Sequence, residues 1–108
     1  MFEFRKNYKE MNNLIKLLAK NNIPFDVLAF PPFSSMREED KDFGLQILAP
    51  SYDNPVIDAV CHWGTYGYED GLIEIMSKYL DEDVKGWLTA EEAYNYFVDA
   101  IKKLNGEG

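Results

Sequence analysis

Cysteine and histidine are almost missing from this sequence, each occurring once, as Cys61 and His62. A single cysteine forms no internal disulfide, which leads us to expect a reducing, cytoplasmic setting. Neighbouring residues on an extended chain point to opposite faces, so these two do not serve each other as nucleophile and base. With no second histidine, a Cys–His catalytic arrangement has no base elsewhere, and a thiolate-rich zinc site is excluded. The expected roles are a small buried hydrophobe for Cys61 and a hydrogen-bonding strand-end residue for His62. No apolar run approaches the roughly 20 residues that span a bilayer. No apolar stretch follows the charged opening MFEFRKNYKE, so no secretory signal is expected. Internal repeats are also lacking.

Bases are scarce, and they are unevenly placed. Residues 1–24 carry five bases and two acids, whereas residues 25–108 carry six bases and seventeen acids. The overall charge of −8 therefore hides a mildly basic first segment and a body of net charge −11. Such a body repels phosphate and has few cations with which to release counterions, so direct nucleic-acid binding is not expected. Solubility alone accounts for this acidity, as does a basic protein partner.

What is present is enough for one core. At 108 residues, 46% apolar and 15% aromatic, the chain reads as a single globular domain spanning 1–108. Phe4, Tyr8, Met11, Ile15 and Leu18 recur at helical spacing, predicting a helix from about residue 3 to 21. Asn21 and Asn22 suit a left-handed helix end, and Pro24 forbids continuation. FDVLAF (25–30) predicts a strand that Pro31-Pro32 ends, and residues 33–42 form a charged connection. Alternation over 43–49 predicts a second strand, followed by the turn-rich PSYDNP. Residues 56–62 make a third strand, suited to a central position, with Asp58 its sole acid. Leu72, Ile73, Met76, Tyr79 and Leu80 fit a helix over about 69–80, with Glu69, Asp70 and Glu74 near its start. After an acidic turn at Asp81-Glu82-Asp83, Thr89 and Glu92 match a capping box that opens a last helix. The expected fold is α+β in the order α-β-β-β-α-α: a small three-stranded antiparallel sheet with helices packed on one face. That order is similar to double-stranded RNA-binding domains, but Thr89, Glu91 and Glu92 stand where those domains place lysines.

The stretch NPVIDAVCHWGTYGYEDGLIEIM (54–76) concentrates the unusual residues, including Trp63 and three of the seven glycines. GTYG sits where phosphate loops live, yet lacks the G-x-x-x-x-G-K-[ST] pattern, and Glu69, Asp70 and Glu74 would repel a phosphate. No nucleotide or other cofactor is expected. Trp63, Tyr66 and Tyr68 suit a ligand, a protein-binding patch or a cap on the core. The runs Glu38-Glu39-Asp40 and Asp81-Glu82-Asp83 lack the spacing of a calcium loop, so no metal is expected. Carboxylates in runs usually form a solvated face, but acids and aromatics together also imitate a nucleic-acid backbone.

The segment DAVCHWGTYGYEDGLIEIM, followed by VKGWLTAEEAYNYF, resembles small uncharacterised proteins of phages and integrative elements of Gram-positive bacteria. Those proteins carry a strand–CH–SYG–E-x-GLLEIM block and then a GYLTAE helix start. The matching positions are Asp58, Cys61, His62, Tyr66, Gly67, Glu69, Gly71, Leu72, Glu74, Ile75, Met76, Gly86, Leu88, Thr89, Ala90 and Glu91; Trp63 to Thr65 and Trp87 depart from the pattern. The resemblance covers the C-terminal half. It has no enzymatic motif behind it and implies a mobile-element origin, not an activity. Small acidic phage proteins include inhibitors of host defence, such as anti-CRISPR proteins.

The reading favoured by these observations is a non-enzymatic phage-type inhibitor acting in the cytoplasm of a bacterial host. Its partner would be a basic host protein, such as a nucleic-acid-binding defence nuclease whose groove it fills as a DNA mimic. The expected contacts are Glu38, Glu39, Asp40, Asp42, Trp63, Tyr66, Tyr68, Glu69, Asp70, Asp81, Glu82 and Asp83. An alternative is a ligand-binding or enzymatic domain with its site in the Cys61–Glu69 loop, at His62, Trp63, Tyr66 and Glu69. A second alternative is a homo-oligomeric structural or assembly protein.

Overall fold

Period-two alternation builds an antiparallel meander of five strands: β1 (Asp26–Phe30), β2 (Gly44–Ala49), β3 (Ile57–Cys61), β4 (Ile73–Ser77) and β5 (Lys85–Leu88). Their spatial order is their sequence order, with β3 in the centre. Helix α1 (Lys9–Lys20) precedes the sheet and α2 (Ala90–Leu104) follows it. The computed structural model describes residues 8–30, 44–62, 65–80 and 84–106. The α+β class is as expected, but the count of elements is not: among the described residues, five strands and two helices stand where three and three were expected.

The expected helix over 69–80 is the main correction. A single 3-10 turn, Tyr68–Asp70, is closed by Gly71 in the left-handed region at φ 70°, and β4 follows. Leu72, Ile73, Met76 and Tyr79 satisfy helical spacing, but Ile73, Glu74, Ile75 and Met76 also alternate in, out, in, out. The glycine stop and two β-branched isoleucines favour the strand, whose buried pair then completes the sheet's inner face. The second correction is β5, which forms where an acidic turn alone was expected. At the N-terminus, the described helix begins at Lys9 rather than near residue 3, and residues 1–7 lie outside the described residues.

Register sorts the side chains onto two faces. Ile47 stands opposite Ala59 and Ala59 opposite Ile75, and all three are fully buried. The other face carries Gln46, Val60 and Glu74 in one row and Leu48, Asp58 and Met76 in the next. Helix α2 lies across β3, β4 and β5, and α1 lies alongside α2. The inward stripe of α2 is Ala90, Ala93, Phe97 and Ala100. Three alanines let the helix backbone approach the sheet, and Phe97 fills the space between. Met11, Leu14 and Leu18 of α1 complete the same core.

Local chemistry fixes the helix ends. After α1, Asn22 is left-handed at φ 58°, its N–H reaches the Ala19 carbonyl at 3.2 Å, and the Ile23 N–H reaches the Leu18 carbonyl at 3.0 Å. This is a Schellman ending with asparagine in the glycine position. At α2 the expected capping box is complete: Glu92 N–H donates to Thr89 Oγ1 (3.4 Å) and Thr89 N–H donates to Glu92 Oε1 (3.0 Å). Accepting from the Thr89 N–H, and then from its hydroxyl, holds the Glu92 carboxyl below the ordinary glutamate range. A further orphan donor, the Ala90 N–H, is taken at 2.8 Å by Glu10 Oε1 from α1.

Thr89→Ala is expected to lower unfolding free energy by about 1 kcal/mol, the usual cost of a lost cap. Phe97→Ala is expected to cost about 3–5 kcal/mol, as for a buried aromatic. Urea denaturation of both variants checks the ranking; equal losses would contradict it.

Candidate functional site

After β3, the Thr65 side chain ties its own residue back to His62. His62 N–H donates to Thr65 Oγ1 at 3.1 Å, while the His62 carbonyl accepts from Thr65 Oγ1 at 2.7 Å and from Thr65 N–H at 2.9 Å. Next, Gly67 takes φ 99°, and its carbonyl accepts from Leu72 N–H at 2.9 Å and Asp70 N–H at 3.1 Å. A Cβ on Gly67 would lie 2.9 Å from Leu72 Cβ and 3.1 Å from Trp87 Cα, so glycine lets this loop lie directly against β5. Gly86 makes the reciprocal approach, since a Cβ there would overlap Tyr66. Trp87 N–H to the Tyr66 carbonyl (3.3 Å) holds the contact, and Tyr66 N–H to Glu74 Oε1 (3.1 Å) ties the same residue to β4.

The strand itself is bent to suit. Ile73 stands opposite Leu88 and Ile75 opposite Lys85, so Glu74 alone faces both Gly86 and Trp87. This is a β-bulge, a device that re-aims a side chain. Trp87 adopts φ 55°, a left-handed conformation unusual for a bulky residue and costing on the order of 1–3 kcal/mol. The result is an outward indole, 59% exposed, stacked on Tyr66, itself 51% exposed, with ring centroids 5.0 Å apart and 25° between planes. Beside the pair lies a cavity of about 360 Å³ lined by both rings, by Tyr68 and by Glu69 and Asp70. Among the described residues, no lysine or arginine lines it.

The expected contacts divide clearly. Tyr66, Glu69 and Asp70 meet around this cavity, whose wall Tyr68 also forms although it is only 6% exposed and belongs to the core. Glu38, Glu39, Asp40, Asp42, Trp63, Asp81, Glu82 and Asp83 lie outside the described residues. Of the alternative ligand site, Tyr66 and Glu69 share the cavity, whereas His62 is buried against Gly44 and does not line it. Cys61 is fully buried in the core. Trp87 and Glu74 were not expected in the site. Their signal was the dipeptide Gly86-Trp87, a glycine followed by an aromatic in a short β-prone run, which marks a bulge once β5 is recognised.

Two other places hold polar groups. A groove of about 490 Å³ between α1 and the start of α2 is lined by Lys9, Glu10, Lys16 and Glu91 among others, and Glu10 already occupies its helix N-terminus. On the outer face of the sheet, Asp58 Oδ2 accepts from Gln46 Nε2 at 2.7 Å. Burial raises the Asp58 pKa, and the Gln46 amide only partly opposes this. Among the described residues, no three His, Cys, Asp or Glu side chains converge as a metal site, and no helix is long and apolar enough to cross a membrane. Comparison of the chain with protein-family models, with curated proteins and with solved structures finds no match.

Two outcomes follow from these geometries. Trp87→Gly relieves the left-handed strain but loses a ring pair worth about 0.5–1.5 kcal/mol, so the variant should stay within about 1 kcal/mol of the parent in urea. A loss near the 3–5 kcal/mol of a core aromatic would instead make Trp87 part of the core. For Asp58, the folded pKa lies above the unfolded one. Its stabilising contribution is therefore complete below the ordinary aspartate pKa and is lost as pH rises through the folded value. Asp58→Asn keeps an acceptor for Gln46 without a charge. Its stability relative to the parent should rise with pH across that window, and a pH-independent difference would refute the assignment.

Proposed function

We propose that this chain is a non-enzymatic protein of phage or mobile-element type that inhibits a host protein by binding a basic surface. The observation that carries this reading is the exposed Tyr66–Trp87 stack, held out by a strained bulge and bordered by Glu69 and Asp70. Large amphipathic rings that expose area at little entropic cost are what binding hot spots are made of. The net charge of −11 over residues 25–108 supports a basic partner, because it speeds encounter and excludes acidic competitors. The resemblance of residues 58–91 to phage and integrative-element proteins supports a host target, and a nucleic-acid-binding groove of a defence nuclease has the right charge. In this reading the acids stand in for phosphates and the aromatic pair for stacked bases.

A bacterial lysate passed over the immobilised chain and over its Tyr66→Ala/Trp87→Gly variant, at low and moderate salt, tests the proposal. The expected result is a nucleic-acid-binding protein retained by the parent, released by salt, lost on the double variant and inhibited by the parent in its own activity assay. Equal retention by parent and variant, or retention without inhibition, would refute it.

A further inference from the structure

We infer that the cavity beside the Tyr66–Trp87 stack receives an arginine side chain from a basic segment of the partner. This deepens the binding reading above and rests on it. Three independent features of the cavity point to a planar cation. Its wall includes the aromatic residues Tyr66, Tyr68 and Trp87, of which Tyr66 and Trp87 are more than half exposed. Glu69 and Asp70, adjacent in sequence and both exposed, contribute two carboxylates to the same wall. Among the described residues, no lysine or arginine lines it to neutralise them. A guanidinium stacks flat on an indole or phenol and offers a fork of donors to a carboxylate, whereas an ammonium is a compact, strongly hydrated point charge. The volume, about 360 Å³, admits a whole arginine side chain.

The construction is rigid where such recognition needs it to be. The cavity's floor is the 3-10 turn Tyr68–Asp70 between two left-handed glycines, and Tyr68 is anchored in the core. Glu74 accepts from the Tyr66 N–H at 3.1 Å and so acts as a positioning residue for that ring. Trp87 departs from the easy backbone of a strand solely at this point, and its exposed indole gains nothing in the core for doing so.

The test titrates the full isotope-labelled chain with a glycine-flanked tri-arginine peptide and its lysine and citrulline counterparts, followed by two-dimensional NMR. The arginine peptide should shift the Trp87 indole and the Glu69 and Asp70 amides, and bind roughly tenfold or more tightly than the lysine peptide. The citrulline peptide, lacking charge, should leave those signals unmoved. Trp87→Gly, which suits the left-handed backbone, and Glu69→Gln/Asp70→Asn should each weaken arginine binding about fivefold or more. Unchanged dispersion of the remaining amides would show those variants folded. Equal binding of lysine and arginine peptides, shifts scattered over other acidic surfaces, or indifference to both variants would overturn the inference. The two readings fail separately. If Trp87→Gly abolishes partner retention while arginine shows no preference, the arginine assignment falls and the binding function stands. If arginine binds as expected while partner retention ignores the variants, the function falls and the site stands.

Discussion

The fold depends on how closely α2 can approach the sheet. Ala90, Ala93 and Ala100 keep the helix backbone near β3, β4 and β5, and Phe97 is the one large side chain that the interval must accommodate. Everything else on that side is fitted to this spacing: Ile73 and Ile75 from below, Met11, Leu14 and Leu18 from the flank. A larger residue at any of the three alanines would lift the helix and open the core along its length, since interiors at crystal-like density have no spare volume. The start of α2 is bound as tightly as its face, with the Thr89–Glu92 box and the Glu10 carboxylate together meeting three backbone donors.

That requirement shapes the candidate site. The chain passes from β5 into α2 with only Thr89 between them, so Leu88 must point into the core at the place where α2 starts. The extra residue of the bulge absorbs the resulting mismatch with β4, and its consequence is a tryptophan turned outward against Tyr66. Packing and surface chemistry meet here: the same irregularity that seats Leu88 presents the indole. Gly67 and Gly86 make the arrangement compact by letting two backbone segments touch.

Features set by neighbouring residues were legible in the sequence. The capping box at Thr89, the left-handed asparagine after α1, the strands at 26–30, 44–49 and 57–61, and the central place of β3 all follow from local patterns. Residues 72–80 were not legible, because two periodicities coexist there and tertiary pairing with β3 decides between them. Of the site, Tyr66, Glu69 and Asp70 stood out by composition. Trp87 did not, since its exposure depends on a register shift between β4 and β5, which no single strand's pattern contains. The burial of Tyr68 and His62 is likewise a matter of what lies across from them.

The Glu10–Ala90 hydrogen bond joins residues eighty positions apart. The strand pairings, by contrast, all link sequence neighbours: β1 with β2, β2 with β3, β3 with β4, β4 with β5. Closing a flexible loop of that length costs about 4 kcal/mol of chain entropy, whereas each hairpin costs roughly 2 kcal/mol. The hairpins, and α2 against the strands just before it, therefore close on short loops, and docking α1 onto α2 carries the largest entropic cost. Until α1 docks, the flank of the core that Met11, Leu14 and Leu18 fill is open. The vulnerable interval in this protein's life is the one before its two helices meet.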